Sequence, residues 1–341
     1  MKKKVTITNI ILILSVSTFF CYGKAGEIQA NDAETYYNLG HTYYEEGNYA
    51  KAIECFENAI KVKPSYAEAY LYMGNAYDEK GNFNKTIECY EKAIQLKPGY
   101  ANAYYNMGIA YNDKNYYEKA IECYEKAIAF QPKYANAYYN MGVSYDNKRE
   151  YDKAIECYKK AGELNPNDAD VYYNLGNVYD EKGEFDKSIA YYEKAIEIEP
   201  DFALAYYNLG HEYCGKGNYD MAIKCLEIAI KINPNDADAY IYMGNVYYYK
   251  VNYNKAIECY EKAVKIDLDY ADAYYNMGII YYHNNNYNKA IECYEKVIAI
   301  EPDYSDAYYN MGVAYQELNN ETKANICFQK VNMLWNNNTF Y

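Results

Sequence analysis

Apolar and polar positions alternate along this chain with helical spacing in two short stripes, and the same two stripes return every 34 residues from Ala33 to Asn338. Within each unit, positions 4, 7, 8 and 11 share one face of a first helix, and positions 17, 20, 21, 24, 27 and 28 one face of a second. A glycine at position 8 marks the register: Gly40, Gly74, Gly108, Gly142, Gly176, Gly210, Gly244, Gly278 and Gly312. Positions 4 and 11 are always Tyr, position 20 is small, and position 24 is aromatic except at Leu226. Position 32 is Pro except at Leu268 and Asn336, and its ring closes the second helix. Turn residues such as Glu46-Gly47-Asn48 and Lys182-Gly183-Glu184 separate the stripes. The pattern predicts nine antiparallel helix pairs with no insertion: 33–66, 67–100, 101–134, 135–168, 169–202, 203–236, 237–270, 271–304 and 305–338. One such pair is apolar on both sides and buries its faces only by stacking on its neighbours.

The unit from Ala101 to Tyr134, A-N-A-Y-Y-N-M-G-I-A-Y-N-D-K-N-Y-Y-E-K-A-I-E-C-Y-E-K-A-I-A-F-Q-P-K-Y, closely resembles the tetratricopeptide repeat. That family carries a large aromatic at position 4, Leu-Gly at 7 and 8, Tyr at 11, Ala at 20 and 27, an aromatic at 24 and Pro at 32. The steady departure is Tyr for Trp at position 4, a mild exchange of amphipathic aromatics. The resemblance implies an all-α, right-handed superhelical α-solenoid of antiparallel helix pairs that binds peptides or partner helices in its concave groove.

In that family, positions 2, 5, 6, 9, 12 and 13 line the groove. Here position 6 is Asn at Asn38, Asn106, Asn140, Asn174, Asn208, Asn276 and Asn310. Each amide has donors and an acceptor for an extended peptide, like the asparagine ladder in the repeat region of O-linked N-acetylglucosamine transferases. The same amides serve equally well to bond neighbouring helices. Position 5 is Tyr at Tyr37, Tyr105, Tyr139, Tyr173, Tyr207, Tyr275 and Tyr309, a residue type suited to recognition surfaces. Acidic residues stand at position 2 (Glu34, Glu68, Asp170, Asp238, Asp272 and Asp306) and at positions 12 and 13 (Asp78, Glu79, Asp146, Asp180 and Glu181). An aromatic, acidic groove favours neutral or basic partners. The carboxylate clamp of some relatives needs Lys and Arg at positions 2, 5 and 6, and this chain has neither there.

The net charge of −14 argues against nucleic acid as partner. Eight of the ten cysteines occupy position 23, where equivalent helices stand too far apart for disulfides, so they read as small apolar residues. The histidines, His41, His211 and His283, are too far apart to converge, no zinc-type Cys spacing occurs, and neither a catalytic grouping nor a cofactor site is expected. Residues 1–25 begin with Lys2-Lys3-Lys4 and an apolar run, and read as a secretory signal cleaved after Gly23 or Ala25, or else as an uncleaved anchor. Cys21 adds a weak lipidation motif as a third reading. Residues 26–32 form a linker and 339–341 a tail.

Together these features predict a non-enzymatic, monomeric scaffold, exported to the periplasm, the cell envelope or the medium. Membrane contact is expected only through the N-terminus. An accessory repeat subunit of a glycosyltransferase and a self-assembling envelope protein are the alternatives. Two local expectations follow. Gly162 replaces the usual Ile at position 28 and predicts a weak interface that Ile or Ala would strengthen. Glu321, Asn325 and Asn332 replace apolar residues on one face of the ninth unit and predict a solvent-exposed, self-capped end.

Overall fold

The structure, a computed structural model, describes residues 32–338. The chain groups into two compact units, Met1–Pro132 and Lys133–Tyr341. Among the described residues, the first unit holds α1 (Ala33–Glu45), α2 (Tyr49–Val62), α3 (Ala67–Glu79), α4 (Phe83–Leu96), α5 (Ala101–Asp113) and α6 (Tyr117–Phe130). The second holds α7 (Ala135–Asn147), α8 (Tyr151–Leu164), α9 (Ala169–Glu181), α10 (Phe185–Ile198), α11 (Ala203–Gly215), α12 (Tyr219–Ile232), α13 (Ala237–Tyr249), α14 (Tyr253–Ile266), α15 (Ala271–His283), α16 (Tyr287–Ile300), α17 (Ser305–Glu317) and α18 (Glu321–Asn338). Within each unit, successive helices pack pairwise in tandem, and the described residues include no strand. The signal or anchor reading of 1–25, Cys21 and the 339–341 tail lie outside the described residues, as does the linker up to residue 31.

The repeated sequence explains each boundary. The turn inside a pair needs a left-handed residue, supplied by Gly47 (φ 75) and Gly81 (φ 71), or by Asn115 and Asn285 at a small cost. Asn48, Asn82, Asn252 and Asn286 then cap the second helix, their side chains accepting from the N–H three residues on. At the far end Lys63 (φ −131, ψ 87) leaves the helical region, as the residue before a proline is biased to do.

The core is built on the glycine at position 8 and the aromatic at 24. Tyr124 and Tyr158 are each 1% exposed, and their rings lie flat against Gly108 and Gly142, where a Cβ would come within 2.5 and 2.7 Å of ring carbon. Fully buried alanines at positions 20 and 27, such as Ala120 and Ala127, let the paired helices approach. Nine cysteines are free among the described residues, and all but Cys293 are buried. Burial pushes the Cys89 and Cys123 thiols up to about 12, so they pack as small apolar groups and are poor nucleophiles.

Two local expectations can be compared with this packing. Glu321, Asn325 and Asn332 are exposed on α18. The expectation for Gly162 needs correction. The space left by the missing Ile is filled by two neighbours, Val171 at 1% exposure and Tyr172 at 6%, while the equivalent tyrosines Tyr138 and Tyr206 are only half-buried. A Cβ at 162 would meet Tyr172 Oη at 3.2 Å and Val171 Cγ1 at 3.4 Å. The Gly162→Ile substitution is therefore expected to overpack the interface and destabilise the second unit by about 1–3 kcal/mol. Adding Val171→Ala, which restores the residue found at 137 and 205, should recover most of that loss. Urea unfolding of the single and double variants checks this; a more stable single variant would restore the original expectation.

Candidate functional site

The first helices carry positions 5 and 6, and the structure places most of the Asn and Tyr rows in half-buried positions where repeats meet. In the second unit the two rows are joined. Asn174 Nδ2 donates to Tyr139 Oη at 2.8 Å, Asn208 to Tyr173 at 3.2 Å and Asn310 to Tyr275 at 3.0 Å. The amide of one repeat thus holds the tyrosine hydroxyl of the repeat before it.

Where position 9 of the preceding repeat is also Asn, an amide–amide bond forms, added to the tyrosine bond at Asn208. Asn106 donates to Asn75 Oδ1 at 2.9 Å, Asn208 to Asn177 at 3.0 Å and Asn276 to Asn245 at 3.2 Å. Those carbonyls also accept from the buried hydroxyls of Tyr90 (2.9 Å), Tyr192 (2.8 Å) and Tyr260 (2.7 Å). These networks satisfy buried polar groups and fix the stacking register. Part of the donor capacity of the ladder is therefore spent between repeats. Asn140 is half-buried and Asn38 exposed. Tyr309 is exposed with its ring 5.8 Å from Phe328, Tyr105 lies 6.0 Å from Tyr124, and Tyr37 and Tyr207 lie 5.8 Å from Tyr72 and Tyr242.

Several of the acidic positions are already engaged. Glu68 pairs with Lys97 at 3.1 Å, while the hydroxyls of Tyr270 and Tyr304 donate to Asp238 and Asp272. In the second unit, Asp146, Asp180 and Glu181 border a cleft of about 490 Å³ with Arg149, Asn177 and Asn208. Burial, then the charge of Glu181, pushes the Asp146 carboxyl up. Beside this cleft lies a group that the motif reading passed over. Glu212 stands at position 10, where the other repeats carry small or aliphatic residues, and is 4% exposed. Ser188 Oγ donates to Glu212 Oε1 at 3.0 Å, and Glu212 also hydrogen-bonds with Asp180. Burial pushes its carboxyl up to about 7; Asp180 adds to the rise, while Ser188 and Lys216 oppose it.

A second feature missed from sequence is the lysine at position 19. In the first unit Lys51, Lys85 and Lys119 sit over Tyr43, Tyr77 and Tyr111 at 5.1, 4.8 and 5.3 Å from the ring centroids. Lys153 and Lys255 do the same in the second unit. The signal was the constant eight-residue offset between Tyr and Lys.

Tetratricopeptide repeat models match residues 169–202 and 271–304, and residues 191–224 and 293–324. A TPR repeat model matches 40–81, 74–115, 108–148, 147–183, 210–251 and 244–285, together more than half of the chain. The chain belongs to the tetratricopeptide repeat family. Among solved structures, this TPR protein is similar to Pseudomonas aeruginosa PilF, with 19% identity and a TM-score of 0.55 over 62% of this chain and 97% of that one, a likeness of fold. It is also similar to MamA (30% identity, TM-score 0.47, 49% of this chain and 98% of that one). The third is YrrB, a TPR protein with an unusual peptide-binding site (29% identity, TM-score 0.48, 55% of this chain and 96% of that one). No curated protein matches the chain. Among the described residues no His, Cys, Asp and Glu cluster is arranged to hold a metal ion, and no helix is long and apolar enough to cross a membrane.

Proposed function

We propose that this TPR protein is a non-enzymatic scaffold that binds an extended, neutral or basic protein segment along the face bearing the Asn and Tyr rows. The observation that carries the reading is the joined row in the second unit. There Asn174 holds Tyr139 and Asn208 holds Tyr173, and Asn208 borders the cleft that also carries the carboxylates of Asp146, Asp180 and Glu181. Amides and hydroxyls offer paired donors and acceptors to a peptide backbone, and the carboxylates select for basic side chains. It works as a monomer in this reading, and after export, the latter supported by the basic start and apolar run of residues 1–25.

Peptides selected from a random phage-displayed library against the whole chain test this. The triple variant Asn140→Ala, Asn174→Ala and Asn208→Ala is expected to lose at least about tenfold in affinity, some 1.4 kcal/mol, while its helical circular dichroism persists. Binding of basic peptides should also weaken as salt rises, because exposed charge pairs are screened. Unchanged affinity in a folded triple variant would move recognition elsewhere on the surface.

A further inference from the structure

The repeats are not nine equal copies. Positions 5, 6 and 9 depart from the common pattern together, and they do so twice. His41 at position 9 is followed in the next repeat by Leu71 and Tyr72 at positions 5 and 6. His211 is followed in the same way by Ile241 and Tyr242. The spacing between the two sets is five repeats, and between them position 9 reads Asn75, Ile109, Val143 and Asn177, then after His211 again Asn245, Ile279 and Val313. The chain thus carries a block of five repeats followed by four of a second block in the same order.

Packing gives the substitutions a common result. Where other repeats join through amides, these two junctions join through rings. In the first unit the His41 and Tyr72 centroids are 4.9 Å apart, and Tyr37 and Tyr72 are 5.8 Å apart. In the second unit His211 and Tyr242 are 5.0 Å apart, and Tyr207 and Tyr242 are 5.8 Å apart. Leu71 and Ile241 are buried, so the aromatic has moved one position along the helix to a half-buried place beside the histidine. A carboxylate flanks both clusters and acts on the Tyr37 or Tyr207 hydroxyl: Glu68 in the first, paired with Lys97 at the surface, and Asp238 in the second, which accepts from the Tyr270 hydroxyl, so an arginine would exchange with or add to those partners. The surroundings differ in detail: Tyr44 and Tyr66 border the first cluster, Cys214 and Asp236 the second.

Three rings with a carboxylate alongside suit one side-chain chemistry. A planar cation stacks on aromatic faces within about 6 Å and pairs with the carboxylate, and guanidinium does both better than ammonium. We propose that Tyr37, His41 and Tyr72 in one unit, and Tyr207, His211 and Tyr242 in the other, form two equivalent sites that each accept an arginine side chain of a basic partner. The proposal rests on the groove reading only for the face of the repeats it uses.

The test is a titration of the full chain with acetyl-arginine methylamide, followed by the imidazole carbon-bound proton resonances. The chain has three histidines, so His283 is an internal control. His41 and His211 are expected to shift with the same midpoint, His283 to stay, and acetyl-citrulline methylamide, neutral and of the same shape, to move none. Tyr72→Asn and Tyr242→Asn restore the residue common at position 6, and each should abolish the response of its own histidine alone. A response at only one histidine, an equal response at His283, or an equal response to citrulline overturns the proposal. A chain that binds selected peptides but shows no arginine response overturns this inference alone. An arginine response without peptide binding overturns the groove reading alone.

Discussion

The Gly108→Ala substitution will destabilise the first unit by about 1–3 kcal/mol, although alanine is the better helix former by about 1 kcal/mol. The added Cβ would lie 2.5 Å from Tyr124 Cε1, and that ring is 1% exposed with no room to retreat. Gly215 in α11 has no atom within 4 Å of the same construction, so Gly215→Ala should instead stabilise by up to about 1 kcal/mol. The opposite signs separate packing from propensity. Repeat 6 shows how the clash is eased: there the position-24 residue is Leu226, and a Cβ on Gly210 would stand 3.0 Å from its Cγ and 3.3 Å from the Ala222 carbonyl oxygen. Adding Tyr124→Leu to Gly108→Ala should therefore recover part of the loss. Because each repeat touches only its neighbours, hydrogen exchange should show the damage concentrated in α5, α6 and the pair before them. A Gly108→Ala protein as stable as the parent would mean that the glycine is not a packing requirement.

This result concerns the part of the structure most legible from sequence. Gly at 8, the aromatic at 24 and Pro at 32 each act within one repeat, and their spacing alone locates the helix pair. What stayed hidden involves two register positions that only packing brings together. Gly162 read alone suggests a hole; read with Val171 and Tyr172 it is half of a volume exchange between positions 28, 3 and 4. The Asn row was visible as a row. Its bonds to Tyr139, Tyr173 and Tyr275 link residues 35 apart in sequence, one repeat plus one position, an offset no helical periodicity displays. The acids at positions 2, 12 and 13 were legible as charge, while the tyrosine hydroxyls and lysines that already hold some of them were not.

Glu212 was the least legible, since a glutamate next to a groove position reads as one more solvated charge, and it carries the largest expected pH effect. In the unfolded chain its carboxyl titrates near the ordinary 4.5, and in the folded chain it is pushed up to about 7, first by burial and then by Asp180. The sign follows from the order of proton loss. As pH rises through this window the unfolded chain releases the proton first, so folding requires proton uptake and stability falls. Below the unfolded value the group costs nothing; above about 7 the loss is complete and levels off. At about 1.4 kcal/mol per tenfold change in proton affinity, the full loss is on the order of 3 kcal/mol. The Glu212→Gln variant keeps an amide that can accept from Ser188 and donate to Asp180, without the titration. Its stability should match the parent near pH 4.5 and exceed it by about 3 kcal/mol at pH 8, with the difference opening between those values. A second route gives the same sign: Glu212→Val with Ser188→Ala rebuilds the apolar junction found around Val246, and should be more stable than the parent at pH 8. Urea unfolding across the pH range reads both. A difference between parent and Glu212→Gln that is constant with pH would show that the carboxyl stays ionised in the folded chain. That would place a buried charge beside Asp180, which the bonds from Ser188 and the attraction of Lys216 would then have to hold.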